Sequence, residues 1–106
     1  MYLWIKMKTR DDILTFLSQN KNYFRERFHI VKIGLFGSFA RNDQDSTSDI
    51  DLIVEFKDNT QNLYDLKREM KQFIKNELNL DVDIAREKYI KPKYKKSILR
   101  ETHYVE

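Results

Sequence analysis

GLFGSFARNDQDSTSDIDLIVEF, residues 34–56, decides how this chain is read. Upstream of it, Ile30 to Phe36 is rich in β-branched and aromatic residues and runs into Gly37, the pattern of a buried strand stopped by a tight turn. Downstream, Asp49 to Phe56 alternates without a break: Asp49, Asp51, Ile53 and Glu55 fall on one side, and Ile50, Leu52, Val54 and Phe56 on the other. One face of this strand is core and the other presents carboxylates. Ten residues separate Gly37-Ser38 from Asp49.

Carboxylates at i and i+2 of a strand point the same way, close enough to share one hard cation or to bridge two, and without metal they repel each other. Such a pair suits phosphoryl chemistry, in which two divalent ions stabilise the attacking and leaving oxygens of an in-line displacement. Asp49 and Asp51 are therefore the candidate metal ligands, and an all-oxygen ligand set points to Mg²⁺. Gly37 allows the backbone to approach a triphosphate, and Ser38 offers a hydroxyl. If Ser38 opens a helix, its amides can hold phosphate oxygens. A third carboxylate on a neighbouring strand would complete the site and accept the proton of an incoming hydroxyl. Leu80 to Ile84 reads as that strand, and it carries Asp81 and Asp83 with the same parity. Parity does not choose between them.

Working outward, Thr9 and Asp12 form a capping box, and Ile13, Phe16 and Leu17 follow at helical spacing. A helix is expected from about Arg10 to Arg27, either continuous or broken into a pair near Asn20 and Asn22. Leu63, Leu66, Met70, Phe73, Ile74 and Leu78 keep the 3.6-residue period and predict a second amphipathic helix over 61–77. Pro92 fits the first position of a last helix, with Tyr94, Ile98 and Leu99 as its apolar stripe. Lys91, Lys93, Lys95 and Lys96 crowd the start of that helix, where the dipole disfavours cations; a solvated lysine face is the simpler reading and contact with an anion the sharper one.

The bulk numbers fit one domain spanning 1–106. Two glycines and one proline leave no flexible linker, and no repeat or low-complexity tract is visible. With no cysteine there is neither a disulfide framework nor a thiolate zinc site, which suits a cytoplasmic location. The opening MYLWIKMK is too short and too interrupted by lysines to read as a signal or membrane anchor, and Trp4 within it reads as a core-edge aromatic. A formal charge of +3 permits a polyanionic partner without demanding one. Asp11 and Asp12 sit where a helix start stabilises anions, and His29 and His103 have no partner at metal-ligand spacing. Tyr94 and Tyr104 read as core or interface residues before they read as base-stacking ones.

The string GSFARNDQDSTSDIDLIVEF resembles the signature of the DNA polymerase β-like nucleotidyltransferase superfamily, and in particular its minimal branch, the MNT antitoxins paired with HEPN-domain toxins. The likeness runs from the first strand through Val82-Asp83-Ile84 to the tail SILRETHYVE, residues 97–106. It implies an α/β (α+β) fold with a short mixed sheet of three or more strands packed by helices. It places the third carboxylate on Asp83 and puts Gly37, Ser38 and Arg41 at the nucleotide. Arg41 is expected to pair with a phosphate or, somewhat better given Asp43 and Asp45 nearby, to brace the loop; Asp43 and Ser48 are expected to support the turn. The function implied is transfer of AMP from Mg-ATP to a hydroxyl, a tyrosine, of the cognate HEPN toxin, with two Mg²⁺ ions and no membrane. Two other functions compete with it: neutralisation of the toxin by occlusion alone, and transfer to an RNA end, for which direct nucleic-acid binding is the less favoured requirement.

Overall fold

The computed structural model describes residues 8–105. Its first helix begins on the expected box: the Thr9 hydroxyl accepts from the Asp12 amide at 3.1 Å, and the Asp12 carboxylate accepts from the Thr9 amide at 2.9 Å. Two donors that a helix start leaves unpaired are thereby satisfied. This helix, α1, spans Arg10–Gln19; Asn20 separates it from α2, Lys21–Phe28. The amphipathic stretch is thus a helical pair. Asn20 makes the break by turning its side-chain amide onto the Phe16 carbonyl at 2.9 Å.

After α2 come β1 (Ile30–Phe36), the short helix α3 (Gly37–Arg41), β2 (Ile50–Phe56), α4 (Leu63–Leu78), β3 (Val82–Arg86), a 3₁₀ turn at Glu87–Tyr89, α5 (Pro92–Glu101) and β4 (His103–Tyr104). The four strands form one sheet in the order β3-β2-β1-β4. Strand β2 runs parallel to β3 and antiparallel to β1, which is antiparallel to β4. The parallel pair needs a crossover, and α4 supplies it. This is the mixed α/β sheet that the family resemblance implied. Strand β3 begins at Val82 rather than Leu80; just before it the Asp81 carbonyl accepts from the Ile50 amide at 2.9 Å, and the Asp81 carboxylate lies 2.9 Å from Lys75.

The core lies on one face of the sheet. Ile33 and Leu35 of β1, Ile50, Leu52 and Val54 of β2, and Val82 and Ile84 of β3 meet Ile13, Leu17, Phe24, Met70 and Ile74 from the helices. Truncating a side chain such as Leu52 there would cost about 2–5 kcal/mol.

The opposite face is less open than simple alternation predicts. Asp51, Ile53 and Glu55 share it, yet Ile53 is fully buried. The chain after β3 folds back over its middle. Tyr104 donates to Glu87 at 2.7 Å, and Lys32 bridges to the same carboxylate at 3.1 Å. Gly34, opposite Ile53 in register, gives Thr102 and Tyr104 room to approach; an added Cβ would lie 2.6 Å from one and 2.8 Å from the other. Tyr104 is thus a packing residue, as expected. Tyr94 lies outside the core, 49% exposed, with the Lys93 ammonium 5.1 Å from its ring centre. Trp4 and the MYLWIKM segment lie outside the described residues. Among the described residues no helix is long and apolar enough to cross a membrane.

Candidate active site

Two strand pairings and one turn assemble the site. Asp51 sits opposite Phe36 on β1 and directly beside Asp83 on β3. Asp49 stands two residues earlier, just before β2, and is exposed, whereas Asp51 is half-buried. The turn leading to Asp49 is fixed locally: the Asp45 carboxylate accepts from the Thr47 amide at 2.8 Å and its hydroxyl at 2.7 Å, and the Ser48 hydroxyl accepts from the Asp45 amide at 2.9 Å. The two Thr47 bonds chiefly hold the Asp45 carboxyl below its usual range, and the bond from the Asp45 amide gives Ser48 the turn-capping place expected of it.

Strand β1 gives way at Phe36 to Gly37, the first residue of α3, whose φ of +78° lies in the left-handed region where a side chain is strained. The Asp51 carboxyl leans against this residue; a Cβ on Gly37 would overlap Asp51 Oδ2 and lie 2.9 Å from its Cγ. Only glycine permits this approach. Ser38 follows in the first turn of α3, half-exposed, and its carbonyl accepts from the Asp43 amide at 3.0 Å.

Glu101, at the end of α5, joins the site without any signal in the sequence around it. Its carboxylate accepts from the Gly37 amide at 3.2 Å and from Arg41 Nη1 at 3.0 Å, while Arg41 Nε donates to Asp43 at 3.0 Å. Arg41 is therefore engaged as the brace that the sequence preferred, between two carboxylates that favour its cationic form. No local pattern announces Glu101, since its partners are 60 and 64 residues away.

Burial, then the charges of Asp83 and Asp49, push the Asp51 carboxyl up to about 6; Arg41 offsets this in part. A desolvated carboxylate crowded by like charges is stabilised by a cation, and its neighbours offer oxygen ligands. An all-oxygen donor set suits Mg²⁺, and Asp49, Asp51 and Asp83 are the candidates to hold it. Asp51 and Asp83 are paired in register, and among the described residues no group of three or more His, Cys, Asp or Glu side chains is placed to hold a metal ion. Asp81 is otherwise engaged, 2.9 Å from Lys75. Beside Asp49 and Asp83 a cleft of about 520 Å³ opens toward α4.

Residues 17–105 match the family model described as a nucleotidyltransferase domain. The protein adenylyltransferase MntA of Thermococcus cleftensis is 33% identical over 99 residues, covering 93% of this chain and 98% of that one. A Methanocaldococcus jannaschii protein, provisionally named a protein adenylyltransferase, is 36% identical over 100 residues, or 93% of this chain and all of that one. In fold the chain is similar to a structure provisionally described as a minimal nucleotidyltransferase, with a TM-score of 0.73 at 24% identity over 92% of this chain and 97% of that one. A toxin-antitoxin complex crystallised with AMP-PNP gives 0.63 at 21% identity, over 82% of this chain and 70% of that one. With signature, fold and full-length relatives in agreement, this chain belongs to the nucleotidyltransferase domain family.

Proposed function

We propose that the protein is an antitoxin that transfers AMP from Mg-ATP to the hydroxyl of a tyrosine on a cognate HEPN-domain toxin in the cytoplasm, and so silences it. The observation that carries the reading is the register of Asp51 beside Asp83, with Asp49 two residues before and Gly37 against the Asp51 carboxyl. Relatives named protein adenylyltransferases across their whole length support the protein acceptor, and the AMP-PNP bound to a toxin-antitoxin complex of the same fold supports the nucleotide.

In this reading Asp49, Asp51 and Asp83 hold Mg²⁺, which when bound neutralises phosphate charge and polarises the α-phosphorus. Gly37 brings the backbone close to the triphosphate, and the Ser38 hydroxyl donates to it. Glu101 holds the Gly37 peptide and Arg41 in place. Asp83 accepts the proton of the tyrosine hydroxyl as its oxygen attacks the α-phosphorus; the bond to the bridging oxygen breaks and diphosphate leaves.

The test is label transfer. The protein, the product of the neighbouring gene, Mg²⁺ and ATP labelled at the α-phosphate are expected to give a labelled partner. Absence of label with each of the four NTPs, under conditions where the two proteins bind, would contradict the proposal.

A further inference from the structure

Across the sheet the site is laid out in a line. Gly37 and Ser38 stand at the end of β1, Asp51 on β2 and Asp83 on β3, with the cleft against α4 beside Asp83. Asp49, Asp81 and Asp83 line that cleft, whereas Gly37, Ser38 and Asp51 do not. Its other wall is the basic face of α4, with Tyr64 close by and 79% exposed.

Two of the α4 cations are spoken for: Lys75 pairs with Asp81 at 2.9 Å, and Arg68 faces Asp65 at 3.4 Å. Lys67 and Lys71 are one helical turn apart on the same face and have no ion pair among the described residues. Like charges at that spacing destabilise a helix slightly. Their positions on the cleft wall give them an intermolecular use.

An in-line displacement brings the nucleophile in opposite the leaving group. If the triphosphate lies on the Gly37 side, as proposed above, the attacking hydroxyl enters from the Asp83 side, through this cleft. From this layout, and resting on the transfer reading, we infer that the cleft between β3 and α4 docks the acceptor polypeptide, and that Lys67 and Lys71 select a segment with acidic residues flanking its target hydroxyl. Charge complementarity of this kind fixes register and speeds encounter.

Fluorescein-labelled peptides with one tyrosine flanked by glutamates, or by lysines, test this by anisotropy at low salt with Mg²⁺, with oligoadenylate RNA as competitor. The glutamate-flanked peptide is expected to bind about 10-fold more tightly than its counterpart. The K67E/K71E variant should reverse that order, and K71E alone, at an exposed position, should narrow it if the double variant fails to fold. Equal affinities, no binding, an order unchanged in the variants, or displacement of the peptide by RNA at lower concentration than by unlabelled peptide would overturn the inference. Label transfer by the wild type is scored separately. Transfer without charge preference defeats the docking inference alone, and charge preference without transfer defeats the transfer reading alone.

Discussion

Gly37 and Asp51 share a space that admits a carboxyl or a methyl group, not both. The Asp51 side chain fills the position that a Cβ on residue 37 would need, and the backbone there, at φ +78°, disfavours a side chain in any case. Gly37→Ala is therefore expected to push the Asp51 carboxyl out of register with Asp83. Label transfer should fall about 100-fold or more, and stability by about 1–2 kcal/mol from the backbone strain. Steady-state transfer and urea unfolding measure the two effects; near-wild-type transfer would show that the contact has no bearing on the site.

Asp51 also predicts a pH dependence. Its folded carboxyl, up at about 6, binds its proton more tightly than an ordinary aspartate at 3.8. Its contribution to stability is full below pH 4 and is lost as pH rises through 6. Asp51→Asn removes that cost. In metal-free buffer at pH 7.5 the variant should be more stable by about 1 kcal/mol, once solvent screening of this half-exposed group is allowed for. For a domain of this size that is a Tm gain of about 4–8 °C, which should vanish below pH 4. Mg²⁺ should raise the Tm of the wild type and not of the variant. Equal melting of the two at pH 7.5 would remove the electrostatic argument.

Glu101 ties the end of α5 to the Gly37 peptide and to Arg41. Glu101→Ala is expected to raise the KM for ATP several-fold with a smaller loss in kcat, because what it frees is the triphosphate loop. The cost in stability should be about 1 kcal/mol, the scale of a hydrogen bond to a charged group with partial exposure. An unchanged KM for ATP would reduce Glu101 to packing.

Asp81 and Asp83 can be separated directly. Asp83→Asn should abolish transfer, while Asp81→Asn, which loses a surface pair with Lys75, should stay within about 3-fold of wild type. The opposite ranking would move the third carboxylate to Asp81.

The legible parts of this fold were those written in local periodicity. The alternation from Ile50 to Phe56, the Thr9 capping box and the helical spacing of Leu63 through Leu78 each specify an element within a few residues of one another. Asp49 and Asp51 were legible for the same reason. Asp83 and Asp81 were not separable by parity; what distinguishes their surroundings is the β2–β3 register and the reach of Lys75. Glu101, the burial of Ile53 and the two-residue strand β4 depend on the chain folding back over the sheet, through contacts too far apart in sequence to leave a pattern.

The most direct measurement is the mass of the proposed toxin partner after incubation with Mg-ATP and either the wild type or the Asp49→Ala, Asp51→Ala double variant. The wild type is predicted to add the mass of an AMP residue to a tyrosine-containing peptide of the partner, and the variant to add nothing while still binding it. No increment with the wild type, or the same increment with the variant, would contradict nucleotidyl transfer at these aspartates.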